Sequence, residues 1–174
     1  SYAVTHPEYC TELILRGIFM LRKKELHWFY QEGASFIYPD AWEKYLEPIP
    51  EDKRHNMMSA YYTILTGNDK QARYAAAKAW SIWEASTSKL IQKQKSLHHF
   101  ENEEVADMFA RIECHYFVNE GFFEYDGWLL DQIDKIRHIP SVIVQGRYDV
   151  VCPMITAWEL HKKWPEADFH VIPD

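Results

Sequence analysis

Positive charge is in short supply in this chain. Lysine and arginine number 19 against 26 acidic residues, a net charge of −7, and no basic run or patch interrupts the pattern. That argues against nucleic acid or an anionic membrane surface as a partner, because both are held through clustered cations. Cysteine is scarce as well. Cys10, Cys114 and Cys152 are odd in number and show no paired spacing, which points to a reducing, cytoplasmic setting rather than a disulfide framework. There is no signal peptide and no apolar run long enough to span a bilayer. No G-x-S-x-G and no glycine-rich phosphate loop occurs. An initiating methionine is also missing. Ser1 to His6 reads as the last turns of a helix ended by Pro7, so the chain is expected to be a piece of something longer.

What is present is an excess of aromatic residues, 16% of the chain, concentrated between Phe19 and Phe123. Such a composition suits a thick core or an aromatic-lined pocket. Thr11 to Phe19 has the pattern of a strand, with Gly17 near its end. Helical patterns then follow: Leu21 to Gln31, a short helix from Pro39, one opened by Pro50-Glu51-Asp52 and running through Leu65, and an alanine-rich one over Lys70 to Lys89. Gln92 to Glu101 is polar and reads as a loop. Asn102 to Asn119 is helical again, and Trp128 to Ile136 is a last short helix. Strand patterns return at Val142 to Val144 and Phe169 to Ile172, with a helix over Met154 to Trp164 between them.

The order strand, helices, strand, helix, strand predicts an α/β fold with about three parallel strands and a large helical insertion after the first. The expected domains are residues 1–20, a strand-bearing core segment; 21–136, a helical cap; and 137–174, the rest of the core. An insertion at that place hangs over the carboxyl ends of the strands, as a lid does.

Three acids stand out. In PSVIVQGRYDVVCP (140–153) a β-branched run ends at Gly146, and Asp149 follows three residues later. Working residues of open α/β sheets sit just past strand ends; equally, an Asp there can shape a turn or cap the next helix. Along the last long helix, Val105, Phe109, Ile112, Tyr116 and Phe117 form an apolar stripe. Glu113 is four after Phe109 and four before Phe117. In the alanine-rich helix Glu84 is four after Trp80 and next to Trp83. A carboxylate against an apolar face loses hydration and calls for a positive partner. Either these two acids reach water at the stripe's edge beside Arg111 or Lys78, or they form an acidic, aromatic-walled site for an ammonium group.

His98-His99 with Glu101 has metal-ligating residue types but no second cluster, and Glu113-Cys114-His115 points three ways round a helix, so neither reads as a catalytic or metal site. Taken by themselves, the residues leave open a non-catalytic binding module for a cationic ligand.

Seven stretches carry a resemblance: LILRGIF (13–19), WFYQEGAS (28–35), PDAWEKYLEPIP (39–50), AAAKAWSIWE (75–84), ARIECHYFVNEGFF (110–123), VIVQGRYDVVCP (142–153) and AWELHKKWP (157–165). Together they resemble the proline iminopeptidases, serine aminopeptidases of α/β-hydrolase fold with a helical cap. The resemblance runs over nearly the whole chain and is weakest from Lys89 to Glu103. It implies a partial α/β-hydrolase fold and release of N-terminal proline from peptides. It makes Asp149 the acid of a Ser, Asp, His triad whose serine and histidine match nothing here. Glu84 and Glu113 match the cap glutamates that hold the imino group, and Phe19, Tyr30 and Phe117 match the ring pocket. The partner implied is a peptide with a free N-terminal proline, with no metal and no organic cofactor; nothing speaks to oligomeric state. Departures from the family pattern are Ala85, where Gly is usual, and Cys114, where Asn is usual.

Overall fold

Two short β-branched runs and one leucine run supply the sheet. In the computed structural model, which describes residues 1–89 and 102–173, the chain forms two units: Ser1–Glu25 with Phe123–Asp174, and Leu26–Phe122. In the first unit β1 (Leu13–Arg16), β2 (Ser141–Gly146) and β3 (Asp168–Ile172) lie side by side in that order, all parallel. Leu13 stands opposite Ser141, and Val142 opposite Asp168. The mixed α/β class and the parallel sheet agree with the expectation.

β1 is shorter than the predicted 11–19 for two reasons. Its partner strand is preceded by Pro140, which has no N–H to extend the ladder. At the other end Gly17 takes φ +57°, a left-handed turn that glycine enters without strain. Along β2 the buried positions are Ser141, Ile143 and Gln145, while Val142 and Val144 are only half-buried. Ile143 joins Ile136, Ile139, Leu160 and Trp164 in an apolar core. α8 (Met154–Lys163) makes the crossover to β3. The helix predicted over Trp128 to Ile136 is two pieces, α7 (Trp128–Asp131) and a 3-10 helix over Ile133–Lys135. The tighter winding puts residues three apart on one face, and Ile133 and Ile136 are both buried. The chain opens on α1 (Tyr2–Thr5).

Charged groups hold the segment that leaves β1. Glu25 is 4% exposed. Its carboxylate accepts from the Met20 N–H at 2.8 Å and from Arg22 Nε at 2.5 Å. Arg22 Nη1 reaches Glu159 at 2.6 Å, and Lys24 Nζ reaches the same carboxylate at 2.7 Å. Between them Leu21 sits at φ +57°, a conformation unfavourable for a branched side chain and kept by its pinned neighbours.

The chain enters the second unit within α2 (Lys23–Tyr30). α3 (Pro39–Leu46) starts on its proline, as predicted. Pro50 does not start an α-helix: it opens a 3-10 helix (Glu51–Asn56), and α4 (Met57–Leu65) begins afresh because the Asn56 side chain accepts from the Ser59 N–H. Asp69 caps α5 (Lys70–Thr87) through the Ala72 N–H, and Asn102 caps α6 (Glu103–Val118) through the N–H groups of Glu104 and Val105.

α6 presents a different face from the predicted stripe. Ala106, Ala110 and Cys114 are fully buried, Phe109 and Phe117 half-buried, and Ile112 and Tyr116 exposed. Small residues let α6 lie close against Ala76 and Ala77 of α5, which are likewise fully buried. The Asp107 carboxylate locks that rotation by accepting from Arg73 Nε at 3.0 Å. The predicted loop from Gln92 to Glu101, with His98, His99 and Glu101, lies outside the described residues. Among those described, no helix is long and apolar enough to cross a membrane.

Replacing Glu25 with alanine strips a buried guanidinium of its closest counter-charge and frees Leu21 to relax. The expected loss is about 3–5 kcal/mol of stability, read from urea unfolding. A loss below about 1 kcal/mol, the range of an exposed pair, would show that this ion pair does not hold the segment.

Candidate active site

The second unit packs around large rings. Trp80 and Trp83, from α5, are completely buried, as are Tyr45 from α3 and Tyr61 from α4. The Tyr30 ring of α2 stacks on Trp80, centroids 4.6 Å apart and planes 19° from parallel. Phe117 of α6 closes on the same pair, 5.4 Å from Tyr30 and 6.2 Å from Trp80. Both acids hang from this stack. The Tyr30 hydroxyl donates to Glu84 Oε1, and Trp80 Nε1 donates to Glu113 Oε2 at 2.9 Å. Sequence spacing brings Glu84 to Trp80, one helical turn apart on α5. Tertiary packing adds Tyr30 and Glu113.

No cation pairs with either carboxylate among the described residues. Arg111 instead reaches Asp107, at 3.6 Å. Desolvation therefore dominates, followed for Glu84 by repulsion from Glu113, and together they push its carboxyl up to about 8 against the pull of the Tyr30 hydrogen bond. Burial raises Glu113 too, opposed by the Trp80 N–H. Burial raises Tyr30 well above the usual phenol range, with the fields of both glutamates adding to it. Glu84, Glu113, Tyr30 and Phe117 thus form one acidic, aromatic place with no cation on it among the described residues. Cys114 is turned away from it: the thiol packs 3.8 Å from the Met58 sulfur, and burial, then Glu113, push it up to about 12.

The other predicted residues belong to the first unit. Phe19, 38% exposed, lines an apolar hollow of about 220 Å³ with Leu13, Leu15, Met20 and Trp164. Asp149 follows β2, and its Oδ1 accepts from the Cys152 N–H at 2.8 Å. Its Oδ2 accepts from the Gln145 side-chain amide at 3.2 Å. The sequence places Gln145 at the end of a strand but singles out no role for it. The available signal was its parity with Ser141 and Ile143, which puts a polar side chain on the inward face of β2. Among the described residues no group of three or more His, Cys, Asp or Glu is arranged to hold a metal ion.

No protein-family model matches the chain. Curated proteins do. The chain is 61% identical over all 174 residues to a probable proline iminopeptidase of Leptolyngbya boryana, covering 54% of that protein. It is 51% identical to the proline iminopeptidase of Arabidopsis thaliana over 100% of this chain and 46% of the relative. With that of Neisseria gonorrhoeae it shares 45% over 99% of this chain and 54% of the relative. Its relatives are proline iminopeptidases. The chain spans about half the length of the curated relatives it matches. Kinship with proline iminopeptidases implies the α/β-hydrolase fold, and the strand, helical insertion, strand, helix, strand order with its parallel sheet fits that fold.

The glutamate pair carries a pH signature. Because the folded protein holds the Glu84 proton more tightly than the unfolded chain does, the folded state is favoured below the unfolded carboxyl value of 4.5. That advantage is lost as pH rises through about 8. Glu84→Gln removes the charge but keeps an acceptor for Tyr30. It should raise the unfolding midpoint by about 2–8 °C at pH 8.5 and by far less at pH 5. An equal shift at both pH values would mean that Glu84 is not destabilised as an anion.

Proposed function

We propose that this chain carries the substrate-recognition cap and the triad acid of a proline iminopeptidase, an enzyme that releases N-terminal proline from peptides. The carrying observation is the pair Glu84 and Glu113, which has no cation partner among the described residues, on the wall made by Tyr30, Trp80 and Phe117. A protonated prolyl nitrogen supplies a positive charge to the two carboxyl groups, and the flat pyrrolidine packs against the rings of Tyr30 and Phe117. An internal proline has no charged nitrogen, so this recognition makes the enzyme an exopeptidase.

The chemistry proposed is serine-type acyl transfer. A serine hydroxyl attacks the carbonyl carbon of the N-terminal prolyl residue while a histidine takes its proton. The histidine returns that proton to the leaving amine, and water then hydrolyses the prolyl ester to free proline. Asp149 accepts the histidine's second N–H, fixing its tautomer and steadying its positive charge. Neither the serine nor the histidine is assigned to a residue of this chain. Three cysteines, odd in number and without paired spacing, fit a cytoplasmic site of action.

In the full-length enzyme, Glu113→Gln removes one of two charges facing the prolyl nitrogen. A charge-assisted contact of about 1.5–3 kcal/mol corresponds to a roughly tenfold to hundredfold fall in kcat/KM, expected chiefly in KM. Unchanged kinetics on a prolyl chromogenic substrate would remove Glu113 from the site. The 174 residues expressed alone should release no proline from that substrate, and turnover by them would contradict the assignment of serine and histidine elsewhere.

A further inference from the structure

Gln145 is the most buried polar side chain of the sheet, 1% exposed. Its amide is used at both ends. Oε1 accepts from the Ile18 N–H at 2.9 Å, and Nε2 donates to the Cys152 carbonyl at 2.7 Å and to Asp149 Oδ2 at 3.2 Å. The orientation is fixed: a flipped amide would set NH2 against an N–H, and oxygen against a carbonyl and a carboxylate. The Asp149 loop is held twice over, since Cys152 donates its N–H to Oδ1 while giving its carbonyl to Gln145. Ile18 immediately precedes Phe19. One amide therefore joins the backbone that carries Phe19 to the carboxylate of Asp149.

We infer that Gln145 is the positioning residue of the reaction proposed above. It sets the direction of the Asp149 carboxylate through Nε2 and the placement of Phe19 through Oε1. The inference rests on reading Asp149 as the triad acid. A carboxylate held by two N–H donors keeps its remaining lone pairs in one direction, where a histidine N–H can meet them. The Gln145 donor also draws off part of the carboxylate's charge and so moderates how strongly Asp149 stabilises an imidazolium.

The two ends of the amide separate in an experiment on the full-length enzyme. Gln145→Glu keeps the shape and the acceptor for Ile18 but puts an acceptor where Asp149 needs a donor. kcat should fall by about tenfold to a hundredfold, the scale of an ångström-level misplacement, with KM near wild type. The acid limb of the kcat–pH profile should move to higher pH, because the added negative charge raises the histidine. Gln145→Met loses both ends, so KM should rise as well. General loosening of the fold would not move the acid limb in that direction. If Gln145→Met does not fold, Gln145→Glu alone decides: wild-type kcat and an unmoved limb in the folded variant overturn the inference. Asp149→Asn separates this failure from the other. Should Asp149→Asn retain full kcat, the triad assignment falls and the role of Gln145 with it. Should Asp149→Asn abolish turnover while Gln145→Glu leaves it intact, only the role of Gln145 is wrong.

Discussion

Two half-buried carboxyl groups with no cation between them among the described residues constrain the helical unit. Glu84 and Glu113 can persist there only because each keeps one good donor, the Tyr30 hydroxyl and the Trp80 indole. Those donors are in place only because their rings stack. The Trp80–Glu113 bond in turn needs α5 and α6 close together, which the alanines at 76, 77, 106 and 110 allow. Small residues at one level thus serve a charged site at another. The arrangement is poorer for stability than an apolar core of the same size. Local rules broken at that expense are found where a protein binds something.

The sheet-bearing unit applies the same logic with an amide. Asp149 and the Cys152 backbone converge on Gln145, and the segment leaving β1 is held by Gln145 at Ile18 and by Glu25 at Met20. Backbone N–H groups that have just left a strand would otherwise be unpaired in the interior. Here they are satisfied by side chains, which fixes loops that sheet hydrogen bonds no longer reach.

Local signals were readable from the chain where the cause is local. Pro39 starts α3, the helices after Asp69 and from Asn102 follow their patterns, and Glu84 lies one turn beyond Trp80 because helical spacing requires it. The parallel α/β order follows from the succession of patterns. What could not be read depends on partners distant in sequence. The inward face of α6 is chosen by its fit to Ala76 and Ala77 and by the Arg73–Asp107 contact, which a hydrophobic stripe does not encode. The β-branched run marks β2 as a strand without saying which of its residues face inward; packing places Ser141, Ile143 and Gln145 there. The donors to Glu84 and Glu113 come from 54 and 33 residues away. Pro50 carries the marks of a helix start, but Asn56 offers a better cap.

Cys114 shows a last consequence of this packing. A thiol pushed up to about 12 and sealed against Met58 holds almost no thiolate at neutral pH, and thiolate is the form that reacts. Cys10 and Cys152, both half-buried, meet an alkylating reagent first. Slow labelling at Cys114 then measures how often the helical unit opens, so the native sequence contains its own clock for local unfolding.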